Sequence, residues 1–447
     1  MTKRFLEESV LFVSILKWSL LAALVGIVVG CSTAIFLKLL DLSISVTTTY
    51  KYYFFLLPLA LFLSTLLVKY LAPEAKGHGT EKVIEAIHKR FGKINPAVVP
   101  VKIVATIITL AMGGSAGKEG PCAQIGAGLS SIIASFLKFG DKDRRKLVIC
   151  GISSGFAAVF GTPIAGAMFG LEVLFVGGVL YDVLLPSFIA GIVGYQITTY
   201  LGITYFHEPL RFVPVFSSFF FIKVCLGGLF FGFCSFLFIE ILRFFEHLSE
   251  KIRLWPPFKG LIGGIPLVLL SLIFSTKYLG LGLESIKNVL EGGSIARGAF
   301  VLKMLFTSIT LSFGGSGGIV TPIFFIGATS GNFFANIFGL ESTIFSAIGM
   351  VSLLAGAANT PISASIMAIE LFGASVAPYA AVSCVISFLM TGHRSVYPSQ
   401  VLAVSKSPSI KIQRFRELDD SEDISIRLRP KSIIGLVAKI VDKIKKR

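Results

Sequence analysis

The chain has 447 residues, 54% hydrophobic and 15% charged, with a formal net charge of +16 and a mean hydropathy of +0.82. A soluble enzyme carries about 25% charged residues, so this composition excludes that class and predicts an all-α polytopic membrane protein. The positive charge does not point to nucleic acid, because the basic residues sit between apolar runs and in the tail, where the positive-inside rule accounts for them.

In chain order, a basic start (Met1-Thr2-Lys3-Arg4) leads into an apolar run over 9–40. That run is too long, and continues too directly into the fold, for a cleaved signal peptide. A second run (52–71) precedes the basic loop 76–95, with Lys76, Lys82, Lys89, Arg90 and Lys93, which belongs in the cytoplasm. Within this loop stands Gly77-His78-Gly79-Thr80-Glu81. The run Val101 to Met112 ends in Gly117-Lys118-Glu119-Gly120-Pro121. Glycine permits an unwound turn and proline suits a first helical position, so this segment predicts a helix start with an acid at membrane depth. Such an acid is costly and faces a polar path or a partner, and the free amides of a helix start suit an anion.

Further apolar runs cover 147–175, 178–203, 209–243, 261–275 and 342–391. Together they predict about ten crossings or more, with re-entrant or half-length helices at the Gly-rich breaks 113–120, 151–166 and 314–318. The six cysteines lack C-x-x-C spacing and the five histidines lack ligand spacing, so neither disulfides nor a metal are expected. Nothing matches a nucleotide-binding motif, so no nucleotide partner or cofactor is expected either.

Residues 113–127 (GGSAGKEGPCAQIGA) and 314–328 (GGSGGIVTPIFFIGA) agree at eight of fifteen positions at an offset of 201. The stretch from Gly77 pairs with that from Gly280, and Thr162-Pro163-Ile164 with Glu172 pairs with Thr360-Pro361-Ile362 with Glu370. The membrane domain (1–403) therefore reads as two repeats, about 12–205 and 206–400, the pattern of transporter folds with a midplane site. Because Glu172 has a mate in Glu370, both are expected to hydrogen-bond helix ends. The tail (404–447) is basic and too short for a separate regulatory domain. It begins as a polar connector, Lys406 to Asp423. In its last part Ile433, Leu436, Val437, Ile440 and Ile444 recur at helical spacing, with Lys439, Lys443, Lys445, Lys446 and Arg447 nearby. This stretch reads either as an amphipathic helix on the inner leaflet or as one packed on its own domain.

Gly117 to Pro121, Gly318-Ile319-Val320-Thr321-Pro322 and the tyrosine of His393-Arg394-Ser395-Val396-Tyr397 together resemble the CLC family of chloride channels and chloride/proton exchangers. The resemblance covers nearly the whole membrane domain and implies two inverted-topology halves whose helix starts face a central anion. Carried over residue by residue, it makes Glu119 the gating glutamate and places His78, Gly79, Gly120, Ile319, Val320 and Tyr397 on the anion. Lys118 is then either an entrance charge or a snorkelling structural lysine. Chloride is the implied transported ligand and the lipid bilayer the surroundings. A homodimer with one pathway per subunit, in the cell membrane with both termini cytoplasmic, is also implied.

Two departures from the family pattern bear on function. His78 stands where the family usually has a serine, so either its ring donates to the anion, more strongly when protonated, or it points away and only the Gly79 amide makes contact. Val173 replaces the inner proton-carrying glutamate of exchangers and cannot relay a proton. It resembles channel members, so the expectation is a passive voltage- or pH-gated chloride channel, with chloride/proton antiport as the alternative. A remote alternative is an intramembrane serine protease, from Gly314-Gly315-Ser316-Gly317 with His393 downstream. Against it, Ser316 recurs as Ser115.

Overall fold

The computed structural model describes residues 2–207, 210, 217–411, 417–418 and 425–426. The first half runs through α1 (Thr2–Thr48), α2 (Leu57–Leu71), α3 (Thr80–Arg90), α4 (Val98–Ala111), α5 (Glu119–Phe136), α6 (Asp141–Phe160), α7 (Pro163–Glu172) and α8 (Leu184–Tyr200). The second runs through α9 (Ser218–Lys251), α10 (Pro256–Ile273), α11 (Leu283–Leu290), α12 (Ala299–Ser312), α13 (Val320–Phe338), α14 (Ser342–Ala358), α15 (Pro361–Phe372) and α16 (Ala377–Met390). Each helix of one half has a counterpart at the same rank in the other. The result is an all-α polytopic membrane protein of two inverted repeats with broken and re-entrant helices.

Five helical stretches are long and apolar enough to cross a bilayer: Phe5–Thr48, Tyr53–Leu71, Tyr181–Tyr200, Ser218–Lys251 and Pro256–Ile273. The remaining apolar sequence lies mostly in shorter helices, so the described residues hold fewer full-length crossings than the apolar runs suggest. Backbone chemistry at the breaks is the reason. The run 147–175 splits between α6 and α7 where Gly161 takes φ 72° and Pro163 opens the next helix. The run 342–391 splits in the same way at Asn359 (φ 57°) before Pro361, and again at Gly373 (φ 93°). A left-handed residue followed by proline ends one helix and starts another.

The halves also pack alike. Where α5 crosses α6, a Cβ on Gly126 would come within 2.3 Å of the Gly151 carbonyl, and where α13 crosses α14, one on Gly327 would meet that of Gly349 at 2.4 Å. Only glycine allows backbones so close, and such crossings replace the hydrophobic driving force that lipid cannot supply.

Around the described start of the tail the chain is held by short strands and by Lys406. β1 (Phe175–Val176) pairs in parallel with β2 (Val401–Leu402), and β3 (Ile410–Lys411) pairs antiparallel with β4 (Ser425–Ile426). Lys406 turns inward, and its ammonium donates to Asn359 Oδ1 and to the Phe388 carbonyl, both at 2.6 Å. Lodged 3.8 Å from the Phe388 ring centroid, it fastens the start of the tail to the ends of α14 and α16. The stretch 433–444, expected to be amphipathic, lies outside the described residues.

Candidate functional site

The turns that precede α5 and α13 meet at the centre of the molecule. Gly117 N–H donates to Gly318 O at 2.6 Å, and Gly318 N–H donates back to Gly117 O at 2.5 Å. Flanking polar side chains cross over in the same reciprocal way. Ser115 N–H reaches Thr310 Oγ1 (3.1 Å) while Ser316 N–H reaches Thr109 Oγ1 (3.0 Å). The hydroxyls pair as Ser115 with Thr307 (3.0 Å) and Ser316 with Thr106 (3.1 Å). In a low-dielectric interior, backbone that leaves a helix must find partners like these. Each half supplies them to the other, which holds two helix starts face to face.

Glu119 is the first residue of α5 and is fully buried. Its Oε2 accepts the Thr321 N–H at 3.1 Å, and its Oε1 accepts the Thr321 hydroxyl. Thr321 lies in the first turn of α13, whose amides lack intrahelical partners. An acid of the first half thus occupies the amide end of a helix in the second. Ile319 and Val320 are buried immediately before it, and Gly318 lies against the Glu119 and Gly120 nitrogens. Lys118 is half-buried at the start of α5.

Gly120 allows the third element to approach. A Cβ there would fall 1.9 Å from the His78 carbonyl, and one on Gly79 would fall 2.6 Å from the Gly120 carbonyl. The Gly77–Gly79 turn, with φ 75° and 87° at its two glycines, is therefore laid directly on the start of α5. His78 projects from that turn toward Tyr397, with ring centroids 5.3 Å apart and planes tilted by 54°. Both side chains are buried, and His78 Nδ1 and Tyr397 Oη have no hydrogen-bond partner among the described residues. Two orphaned polar atoms on facing rings form a pair that a small polar guest would satisfy. Burial first, then the Lys102 and Lys82 ammonium groups, push His78 down to about 3. Burial thus favours the neutral ring at this position.

Lys102, which the motifs did not mark, holds the His78 turn. Fully buried on α4, it donates to the carbonyls of Ala75 (3.1 Å) and Gly77 (2.6 Å). Its mate Lys303 on α12 does the same to Tyr278 (3.1 Å) and Gly280 (2.8 Å). The offset of 201 that exposed the repeat also links these lysines, and it was the available signal.

Val173 is buried and offers only its carbonyl, which accepts from Gln400 Nε2 at 2.8 Å. Glu172 accepts the Ile362 and Ser363 N–H groups at 3.0 and 2.8 Å, and Glu370 those of Ile164 and Ala165 at 2.9 and 2.8 Å. Each acid thereby closes the start of the partner half's helix, α15 or α7. The hydrolytic alternative finds no geometry. The Ser316 hydroxyl is paired with Thr106, whereas His393 accepts the Lys406 N–H at 3.0 Å near the tail.

A family model described as voltage gated chloride channel matches residues 59–392. The chain is 34% identical over 407 residues to a protein of Pseudomonas syringae pv. tomato named chloride/fluoride channel protein, covering 90% of each. Among solved structures it resembles a CLC-type fluoride/proton antiporter, at a TM-score of 0.83 and 28% identity over 86% of this chain and 98% of that one. It shares its fold with a slow cyanobacterial Cl-/H+ antiporter, at a TM-score of 0.74 and 21% identity over 84% and 94% of the two chains.

Proposed function

The chain belongs to the voltage-gated chloride channel family, and on that premise we propose that it exchanges a halide for protons, with Glu119 as the gate. Anion transport comes with the family. The observation that carries the gate is the seating of the buried Glu119 carboxylate on the Thr321 N–H and hydroxyl, where an anion would otherwise take the helix start. Protonation weakens that seat and frees the amide, so anion entry and proton uptake become alternatives at one position. The orphaned His78 Nδ1 and Tyr397 Oη hold the anion next to it.

The passive-channel expectation rested on Val173 alone. Exchange is supported better, because a solved structure 28% identical to this chain is a fluoride/proton antiporter, and the fold is shared with a chloride/proton antiporter. In this reading the basic loop 76–95 and both termini face the cytoplasm. The protein works as a homodimer joined through apolar residues exposed on α15 and α16, such as Ile362, Ile369, Val385 and Leu389.

Purified protein in liposomes, given an outward fluoride or chloride gradient and a trapped pH dye, tests the exchange. Uphill proton movement driven by the anion is expected. A reversal potential that follows the anion gradient alone, with no proton movement, refutes it.

A further inference from the structure

Val173 leaves the cytoplasmic route to Glu119 without a titratable group at that position. Another carboxyl stands beside the route. Glu81 occupies the first turn of α3, three residues after His78. Its Oε1 is fixed, accepting the Ser399 N–H at 3.0 Å and the Ser399 hydroxyl, and Ser399 follows Tyr397 by two residues. Oε2 is buried and has no hydrogen-bond partner among the described residues, although the residue as a whole is partly exposed. Glu81 and Glu119 both lie within electrostatic range of the Tyr397 phenol. One oxygen of Glu81 is thus anchored to the tyrosine-bearing segment, while the other is left open in a place where an orphan polar atom is costly.

We propose that Glu81 is the cytoplasmic proton carrier of the exchange, taking a proton on Oε2 and passing it through water, beside His78 and Tyr397, to Glu119. The inference rests on the exchange reading above. The O–H bond forms on Oε2 with a proton from cytoplasmic water. It breaks when water on the site side takes the proton and delivers it to the Glu119 carboxylate. Glu81 returns to its anion, one proton has moved, and no electrons change hands.

The surroundings suit the task. Burial raises the Glu81 carboxyl to about 7, against the lowering effect of the Ser399 hydrogen bonds and of Lys82, with Glu85 raising it further. The other titratable groups toward the site are His78, the Lys102 ammonium that holds its turn, the Tyr397 phenol and Glu119. A carrier half-protonated near neutral pH can both accept and release a proton.

Glu81→Gln tests this, because glutamine keeps an oxygen for Ser399 and cannot carry a proton. Anion and proton fluxes are measured together in liposomes against cytoplasmic-side pH. The wild type should lose proton flux as that pH rises through about 7. E81Q should show proton flux at least about tenfold lower, without that pH step, while anion flux stays within about threefold. Unchanged coupling and an unchanged pH profile in E81Q overturn the carrier. If E81Q loses both fluxes, Ser399→Ala decides, since it removes the clamp and leaves the carboxyl. Retained coupling in S399A then supports the carrier, and loss of both fluxes assigns Glu81 to structure alone. Wild-type anion flux without proton flux overturns the exchange reading itself, and the carrier with it.

Discussion

Thr321→Val separates the gate from the helix start that holds it. Valine is close to threonine in size and leaves the Thr321 N–H bond to Glu119 Oε2 at 3.1 Å in place. It deletes only the hydroxyl that donates to Oε1. A hydrogen bond to a charged group contributes about 1.5–3 kcal/mol, and about 1.4 kcal/mol is a factor of ten. The equilibrium between a seated and a displaced carboxylate should therefore move about ten- to a hundredfold toward displacement. Efflux read with a halide-selective electrode should rise within that range, most at the alkaline end of a pH series. Coupling to protons should slacken, because displacement no longer depends on protonation. Thr321→Ser keeps a hydroxyl and should behave as wild type. If T321V leaves efflux and reversal potential within about twofold of wild type, the Thr321 hydroxyl does not hold the gate and the competition argument fails.

Glu119→Gln removes the titrating group while keeping its shape, so proton flux should vanish and the pH dependence of anion flux should flatten; pH-dependent exchange surviving in E119Q would refute the gate. Lys102→Met leaves the Ala75 and Gly77 carbonyls unpaired, at about 1–3 kcal/mol for such a loss, and frees the His78 turn. Halide affinity by titration calorimetry should fall about tenfold in K102M, whereas Lys303→Met, which cuts the equivalent bonds in the other half, should lower Tm alone; equal effects on affinity would count against the site. Gly120→Ala sets a methyl 1.9 Å from the His78 carbonyl and should cost about 3 kcal/mol or more through backbone displacement, seen as a large fall in Tm. Glu172→Ala strands two helix-start N–H groups and should also lower Tm, while Glu172→Gln, keeping one acceptor, should lose less.

Much of this architecture could be read along the chain because the repeat writes each feature twice. The Gly-rich turns, the proline-led helices and the Glu172 and Glu370 pair all recur at nearly constant offset, and each recurrence has the same physical task in both halves. Residues that act across the halves carry no such local mark. Thr109 looks like one more small residue in an apolar helix until the Ser316 N–H, 207 positions away, is found on its hydroxyl. Lys406 reads as a solvated charge because its partners Asn359 and Phe388 are remote in sequence. Glu81 carries no local mark either, because its partner Ser399 lies 318 positions away.

The repeat also explains why the site falls where it does. Two equivalent helix starts, joined by the reciprocal Gly117 and Gly318 bonds, would by themselves present two equivalent sets of amides. Equality is broken at adjacent positions. Glu119 has Val320 as its mate at offset 201, and Thr321 has Gly120. The first half supplies an acid with no hydroxyl beside it, and the second supplies a hydroxyl with no acid. Their only complement is each other, so the carboxylate crosses the pseudo-twofold axis to Thr321. Gly120 cannot carry a side chain of its own, because the His78 carbonyl fills that space, and the same close approach brings the His78 and Tyr397 rings alongside. Restoring symmetry at this pair is therefore the most direct challenge to the gate. Glu119→Val should open the seat permanently and give anion flux that ignores pH, whereas Val320→Glu should place a second acid against the first and repel it. If E119V closes the path instead, the carboxylate is part of the conduit rather than its gate.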